Sequence, residues 1–268
     1  MDEMADGTYR IWLEDIQEIA GAWTMADHHL AARHLGQFNG AYLAGYPLPE
    51  LSPWMLPGRM HYWVEANPPD EALLLRYSEG EWGRWLPKAN IERMKHLWTQ
   101  RAQLFDVLAR LPACFCHHDA FRRNLMFRKK GDGGLETVAI DWQKAGPGKI
   151  GQEIGITTAV NLYFLEVPAS RAQELDDAVF SGYCAGLREA GWQGDVQLAR
   201  FGYAITAALA LGVAFTVIMA SIQDHDGPTV TEAILGRPIE DILVEWEVMH
   251  PFLLDLGDEA LKLMPALC

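Results

Sequence analysis

Positive charge is scarce in this sequence. Its 268 residues hold 22 lysines and arginines against 36 aspartates and glutamates, so the formal net charge is −14 at pH 7. A surface this acidic disfavours nucleic acids and anionic lipids, because their negative charge is repelled. The same charge keeps a cytosolic protein soluble, and it would also suit a cationic small molecule. We therefore expect neither nucleic acid nor membrane among the partners.

Cysteine is rare as well, and no leader sequence is recognisable. The four cysteines are Cys114, Cys116, Cys184 and Cys268. The first two are two residues apart, but no second pair follows at zinc-site spacing, and four cysteines in a chain of this length do not make a disulfide scaffold. The N-terminal MDEMADGTYR lacks the basic and apolar regions of a signal peptide. We expect free thiols and a cytoplasmic location.

One long apolar run, residues 201–222, has the length to cross a bilayer. Arg200 flanks it on one side, and no second run, basic cluster or aromatic girdle accompanies it. A helix that is apolar all round belongs either to a membrane or to the core of a protein. We favour a buried core helix, with a membrane-anchored protein as the alternative.

Most of the chain has the pattern of helices. Between Asp27 and Tyr46, large or aromatic residues recur every four positions, which predicts a helix with one buried face. We predict four further helices over the spans 90–109, 151–166, 170–190 and 200–222, and a last one over 230–263. Segment 50–87 is rich in proline and tryptophan and is predicted to be irregular and lid-like.

A β-hairpin is predicted between the helical parts. Its strands cover residues 124–128 and 136–140, and the glycine-rich stretch 130–134 forms the turn. A short apolar stretch, 114–118, precedes it. The overall composition, with 50% hydrophobic and 22% charged residues, is ordinary for a globular protein. The predicted fold class is therefore mainly α (α+β), with a small central β-hairpin.

Two short motifs lie at the ends of this hairpin. Residues 117–124 have the spacing H-x-D-x-x-x-x-N, with Asp119 and Asn124 at its polar positions, and residues 140–142 read I-D-W around Asp141. Because the strands of a hairpin return to the same end, Asn124 and Asp141 are expected to converge. Taken singly, Asp119 could be a turn residue and Asp141 a helix N-cap. In this order and with a hairpin between them, the two motifs resemble the catalytic segment of the aminoglycoside phosphotransferase family of small-molecule kinases.

This resemblance implies a fold and a chemistry. The fold is the helical C-terminal lobe of the protein-kinase-like architecture, and the activity is transfer of the γ-phosphoryl group of ATP (or GTP) to a hydroxyl of a small molecule. Asp119 would be the catalytic base, and Asn124 and Asp141 would hold Mg²⁺. Phosphoryl transfer needs both a group that accepts the hydroxyl proton and hard oxygen ligands for the metal. The acidic surface suggests a cationic acceptor such as an amino sugar.

Further positions are placed by the same resemblance. Glu153 would anchor the catalytic loop by accepting hydrogen bonds from its backbone, and His117 would be a packed structural residue. Arg123 could contact a phosphate or pair with a nearby acid. Lys149 departs from the family, in which many members carry an acid there.

The start of the chain is similar to the hinge between the lobes of a kinase. Residues 11–16 read I-W-L-E-D-I, and the family offers backbone hydrogen bonds to adenine around the positions of Glu14 and Ile16. The resemblance thus spans one lobe, which we divide into the hinge-like start 1–16, helices with a Trp-rich insertion 17–113, the catalytic loop and hairpin 114–142, and a helical subdomain 143–268.

The sequence has the spacing G-x-G-x-x-G at 146–151, after the I-D-W motif, but none ahead of the hinge-like residues 11–16, where a kinase N-terminal lobe covers the phosphates with such a loop, a strand lysine and a helix glutamate. Two hypotheses therefore stand. In the first, the chain is the catalytic part of a kinase that is completed by a homodimer or by a complementing N-terminal lobe. In the second, it is an inactive kinase-lobe remnant that serves as a binding or scaffold module.

Overall fold

The computed structural model describes residues 2–3, 7–10, 14–19, 21–55, 58–80 and 83–267. Helices dominate this part of the chain. They are α1 (Met25–Leu43), α2 (Arg59–Glu65), α3 (Glu71–Glu79), α4 (Lys88–Arg110), α5 (Gln152–Tyr163), α6 (Ala172–Glu189), α7 (Val196–Ile205), α8 (Thr216–Asp226), α9 (Pro228–Leu235) and α10 (Ile239–Leu263). A π-helical segment, Thr206–Phe215, joins α7 to α8 without a break.

The strands of the described residues form antiparallel pairs. They are β1 (Asp2–Glu3), β2 (Tyr9–Arg10), β3 (Ala113–Cys116), β4 (Leu125–Lys129), β5 (Leu135–Ala139) and β6 (Gly146–Lys149). β1 pairs with β2, β3 with β6, and β4 with β5. In the central hairpin Leu125 lies opposite Ala139 and Lys129 opposite Leu135. A mainly helical lobe with a small central hairpin is thus confirmed. Of the hinge-like motif, residues 11–13 lie outside the described residues.

The segment 50–87 is more ordered than the sequence predicts. It contains two short helices, α2 and α3, rather than an irregular stretch. In α2, Met60 and Val64 are buried four residues apart on one face, and a helix of two turns is too short to give a clear periodic signal. In α3, the side chain of Asp70 caps the first turn by accepting from the Leu73 amide. Pro57 and Trp82 lie outside the described residues.

The predicted helix 230–263 is also wrong in one respect, because it is two helices. α9 ends at Gly236, whose φ of 68° is left-handed, and α10 begins directly after Pro238. Glycine just past a helix end and proline at a helix start are the usual residues at such a break. The signal G-R-P at 236–238 is present in the sequence but was overridden by the apolar periodicity on both sides.

The pairing of β3 with β6 was not predicted. β6 has the sequence G-P-G-K, and a strand with this composition is unusual because glycine and proline weaken a ladder. Gly148 is required here, because a Cβ atom at this position would lie 2.7 Å from Cys116 Sγ and 2.8 Å from His118 Cε1. The close approach packs the strand after the I-D-W motif directly under the start of the catalytic loop.

The thiols agree with a reduced protein. Cys114 and Cys116 are buried and free, and Cys184 is free and partly exposed. Cys268 lies outside the described residues. Burial raises the pKa of the Cys184 thiol, so this thiol stays protonated.

The long apolar helix forms the centre of the protein. Within the described residues one helix, Val196–Asp226, is long and apolar enough to cross a bilayer, and 78% of its most apolar window is buried inside the protein. α5, α10 and the short α2 pack against its π-helical segment. The expectation of a buried core helix is confirmed.

Glycines let α1 and α6 cross at close range. A Cβ on Gly36 would lie 2.2 Å from the Tyr183 carbonyl oxygen, and one on Gly186 would lie 1.9 Å from that of Arg33. At this crossing the Tyr183 hydroxyl donates to Asn39 Oδ1 (2.9 Å), and Asn39 Nδ2 donates to the Phe115 carbonyl (2.8 Å). The helix pair therefore fixes β3, the strand that leads into the catalytic loop.

Candidate active site

The catalytic loop, residues 117–124, is anchored on a buried carboxylate of α5. Glu153 is fully buried and accepts hydrogen bonds from the backbone amides of His117 (2.6 Å) and His118 (3.0 Å). Burial raises the pKa of Glu153 to about 7, and the two backbone hydrogen bonds oppose this rise. The anchoring role implied for Glu153 is confirmed by these contacts.

Two further polar residues of α5 continue this anchor. Thr157 Oγ1 donates to the Ala120 carbonyl (2.5 Å), and Asn161 Oδ1 accepts from the Arg122 amide (3.0 Å). Residues 153, 157 and 161 are four apart and therefore lie on one face of the helix. Thr157 and Asn161 were not predicted, although polar residues four apart in a mostly apolar helix are a usable signal. Together the three side chains fix the loop backbone from its first residue to Arg122.

Asp119 projects from this loop and is held on both sides. Its side chain is 14% exposed. Asn124 Nδ2 donates to the Asp119 carbonyl (2.9 Å) and to its Oδ2 (3.2 Å), and Lys144 Nζ lies 2.9 Å from Oδ1. Lys144 was not predicted, because no local pattern connects it to a loop twenty-five residues earlier. The ion pair and the amide fix the carboxylate in one orientation.

The two proposed metal ligands lie at the open end of the hairpin. The Ile140 amide donates to the Asn124 carbonyl (3.0 Å), which brings the ends of the two motifs together. Asp141 is exposed and has a left-handed backbone, with φ 59° and ψ 61°. Such a conformation costs a non-glycine residue about 1–3 kcal/mol and is found most often at functional sites. Its side chain makes no cap hydrogen bond to the 3₁₀ turn Trp142–Lys144, which removes the N-cap interpretation.

The His117 side chain links the first motif to the I-D-W motif. It is 1% exposed, and its Nε2 lies 2.8 Å from the Ile140 carbonyl oxygen. Burial lowers the pKa of this histidine, while the negative charges of Asp119 and Asp141 both act to raise it. The two carboxylates are therefore within electrostatic reach of the same ring, as the convergence of the motifs requires.

The oxygen atoms of Asn124 and Asp141 are chemically suited to bind Mg²⁺. The described residues contain no group of three or more histidine, cysteine or acidic side chains that could hold a metal by themselves. Mg²⁺, however, commonly binds one or two protein ligands and takes the rest from phosphates and water. Asn124 Nδ2 points to Asp119, and its Oδ1 accepts no hydrogen bond from the described residues. This oxygen and the exposed Asp141 carboxylate are thus the groups that could hold the ion.

Arg123 and the hinge-like residues lie beside this centre. Arg123 Nε binds Glu166 Oε1 (2.7 Å), and the guanidinium lies over the Phe164 ring, so the pairing with a nearby acid is the alternative that the structure shows. Glu14 pairs with Arg128 of β4, and the Ile16 carbonyl accepts from the Glu18 amide (3.0 Å). Contacts of these three residues with a phosphate or with adenine stay predictions.

A cavity of about 310 Å³ opens beside Asp119. Its walls come from α2, the catalytic loop, α5 and the π-helical segment. They are formed by Arg59, Met60, Trp63, His118, Asp119, Phe121, Lys144, Gln152, Ile156, Val160, Phe164, Thr206, Ala210, Leu211 and Phe215. π-Helical segments occur frequently at functional sites, and this one supplies four of the lining residues. The cavity places the Asp119 carboxylate in contact with a compartment that a small molecule could occupy.

Comparison with known proteins agrees with this geometry. The model of the phosphotransferase enzyme family (APH) matches residues 16–193, which is more than half of the chain. The chain therefore belongs to this family. Among solved structures it is similar to the amicoumacin kinase hAmiN, solved in complex with AMP-PNP, Ca²⁺ and Ami, with a TM-score of 0.45 and 14% sequence identity. The similarity covers 84% of this chain and 61% of that kinase. Among curated proteins, none matches the sequence.

Proposed function

We propose that this protein is a small-molecule kinase that transfers the γ-phosphoryl group of ATP to a hydroxyl of a compound bound in the cavity. The observation that carries the proposal is the position of Asp119. Its carboxylate lines the cavity and is held by Asn124 and Lys144, while Asn124 Oδ1 and the Asp141 carboxylate have no hydrogen-bond partner among the described residues. An acceptor on one side of Asp119 and a nucleotide on the other would then meet at this carboxylate.

Asp119 would accept the proton of the acceptor hydroxyl, or orient that hydroxyl for attack. This role needs a carboxylate at a fixed place and within hydrogen-bond reach of the acceptor. The anchors from α5 and the contacts with Asn124 and Lys144 supply the fixed place. Most of the catalysis of phosphoryl transfer comes from positioning and electrostatics, so the reaction requires a rigid catalytic loop.

Asn124 Oδ1 and the Asp141 carboxylate would hold Mg²⁺. When bound, this ion would neutralise phosphate charge and bring the phosphates of the nucleotide to the open side of the loop. Lys144, paired with Asp119, would hold its ammonium beside the negative charge of the transferred group. The Asp141 backbone is left-handed, and its side chain makes no cap hydrogen bond to the following 3₁₀ turn.

The cover over the phosphates is proposed to come from a second lobe, either from another copy of this chain or from a complementing N-terminal lobe. Ile140 and Trp142, which flank Asp141, are 36% and 41% exposed. Apolar side chains beside a polar site are typical of a surface that is covered by a partner or a ligand. Light scattering of the purified chain, with and without Mg-ATP, would show whether a homodimer forms.

The assay of this function follows transfer of label from γ-labelled ATP to a panel of hydroxyl compounds in the presence of Mg²⁺. We expect acceptor-dependent transfer, and we expect Asp119→Asn to lower its rate by about 10²–10⁴-fold, which is the usual contribution of a general base. Asp106→Asn, on the exposed surface of α4, is the matched control and should keep the wild-type rate.

The melting temperature of both variants should stay close to that of the wild type. Transfer at full rate by Asp119→Asn would refute the assignment of the base. A folded protein that transfers label to no acceptor would instead support the alternative of an inactive lobe that serves as a binding module.

A further inference from the structure

Arg59 lies in the wall of the cavity and has no counterion among the described residues. It is the first residue of α2, and no carboxylate of the described residues forms an ion pair with it. Its Nε is buried and has no hydrogen-bond partner in the described part of the chain. A buried donor that is left unpaired costs free energy, and a charged one costs more. Among the described residues the guanidinium therefore lacks a hydrogen-bond acceptor, and a bound molecule could supply one.

Arg59 shares the cavity with the catalytic loop, because His118 and Asp119 also line it. Burial lowers the pKa of His118, and the positive charge of Arg59 acts in the same direction. A molecule that contacts Arg59 with one end could present a hydroxyl to Asp119 with another.

The second cation in the cavity wall, Lys144, already has an ion-pair partner. Lys144 is paired with Asp119 at 2.9 Å, and this carboxylate is the only acidic side chain among the described lining residues. The described lining residues thus include one acid and two cations. Of the two cations, Arg59 has no ion-pair partner among the described residues. A polycationic acceptor would find no free carboxylate and would be repelled by the guanidinium.

The remaining walls are mostly apolar. The apolar lining residues are Met60, Trp63, Phe121, Ile156, Val160, Phe164, Ala210, Leu211 and Phe215. The neutral polar groups include Gln152 and Thr206, and both of these side chains donate to Met60 Sδ. Such a lining suits an apolar body with few polar groups. The chemistry of the cavity thus differs from the acidic character of the protein as a whole.

We infer that the acceptor is an amphipathic hydroxy acid, with an apolar body in the cavity and a carboxylate bound by Arg59. This inference rests on the proposed kinase function for the role of the hydroxyl. A carboxylate is the matching group, because the planar guanidinium binds it through two parallel hydrogen bonds. A single free cation also neutralises one negative charge and not two, which disfavours a dianion such as a phosphate monoester.

The test is calorimetry with three probes that share an apolar chain and a primary hydroxyl. They are ω-hydroxydecanoate, its primary amide and ω-aminodecanol. We expect the carboxylate to bind about tenfold or more tightly than the amide, since hydrogen bonds to charged groups are the stronger ones, and the amine to bind weakest. Arg59→Gln should remove the preference, and Arg59→Lys should keep part of it. Arg237→Gln, which removes an exposed arginine outside the cavity, is the matched control.

Equal binding of carboxylate and amide, preference for the amine, absence of binding by the carboxylate, or a preference that survives in Arg59→Gln would each overturn the inference. Because binding is measured without nucleotide, the result is independent of catalysis. Transfer of phosphate to a neutral acceptor with no effect of Arg59→Gln would overturn this inference and leave the kinase function standing. Arg59-dependent binding of the carboxylate without any phosphoryl transfer would support this inference and count against the kinase function.

Discussion

The cavity lies between two segments that are held in different ways. The catalytic loop, residues 117–124, is tied to α5 by Glu153, Thr157 and Asn161, all of which are buried. α2, on the other side, begins at Arg59, and the residue before it, Gly58, makes no side-chain cap hydrogen bond. Tyr62 and Trp63 of α2 are 65% and 41% exposed.

The firmly anchored loop and the less firmly held α2 are expected to have different roles, the loop in catalysis and α2 in recognition of the acceptor. The loop carries Asp119, whose position must be kept within fractions of an ångström for catalysis. α2 carries Arg59 and Trp63, which line the cavity proposed for the acceptor and can differ without disturbing the reacting group. Met60 and Val64 hold α2 to the core, and Met60 Sδ accepts from Gln152 and Thr206 on two other elements of the cavity wall.

The largest effect on stability is expected from breaking the anchor of the loop. In Glu153→Gln, one acceptor oxygen is replaced by an amino group that faces the backbone amides of His117 and His118. At least one buried amide then loses its partner, and we expect a loss of about 3 kcal/mol in the free energy of unfolding at pH 5. Denaturant unfolding followed by circular dichroism measures this loss.

Glu166→Gln is the control for this variant. It makes the same replacement of a carboxyl oxygen by an amide nitrogen, but in a partly exposed pair with Arg123, which is worth about 0–1 kcal/mol. Equal losses in both variants would mean that the loop is not anchored by Glu153 more firmly than by an ordinary surface pair.

The second prediction concerns the pH dependence of this anchor. The pKa of Glu153 is raised from its ordinary value of 4.5 to about 7, because burial disfavours the charged form. The folded state therefore binds this proton more tightly than the unfolded state, and the associated stability is complete below pH 4.5 and lost as the pH rises through 7. The stability difference between wild type and Glu153→Gln should shrink by about 2–3 kcal/mol from pH 5 to pH 8. Unfolding curves of both proteins at several pH values would show it, and a difference that grows with pH would contradict it.

The smallest effect is expected on the other side of the cavity. Trp63→Ala removes a half-exposed ring from the wall, so the melting temperature should change little, while the KM for the acceptor should rise by about tenfold, or 1.4 kcal/mol. The turnover number should stay close to that of the wild type. Tyr62→Ala changes the adjacent, more exposed ring, which does not line the cavity, and should leave KM unchanged. A fall in turnover without a rise in KM would show that α2 acts on the chemistry and not on recognition.

The arrangement of loop 117–124 and the hairpin was predictable from the sequence because its signal is local. Asp119 and Asn124 lie five residues apart, and a hairpin of adjacent strands returns Asp141 to them. The resemblance to a known family added Glu153, whose contacts the structure confirms.

The cavity was not predictable, because its walls come from distant parts of the chain. Arg59, Lys144 and the π-helical segment Thr206–Phe215 meet only through the packing of α2 on the core helix. No spacing in the sequence relates these positions. The expectation of a cationic acceptor came from the net charge of −14, which describes the whole surface and not the cavity.

The metal ion and the nucleotide are proposed to bind this lobe at Asn124 and Asp141. Calorimetry of the purified chain with Mg-ATP, beside the Asp141→Ala variant, measures this binding directly. We expect micromolar binding that requires Mg²⁺ and is lost in Asp141→Ala. Absence of binding at millimolar Mg-ATP, or binding that is unchanged in Asp141→Ala, would contradict it.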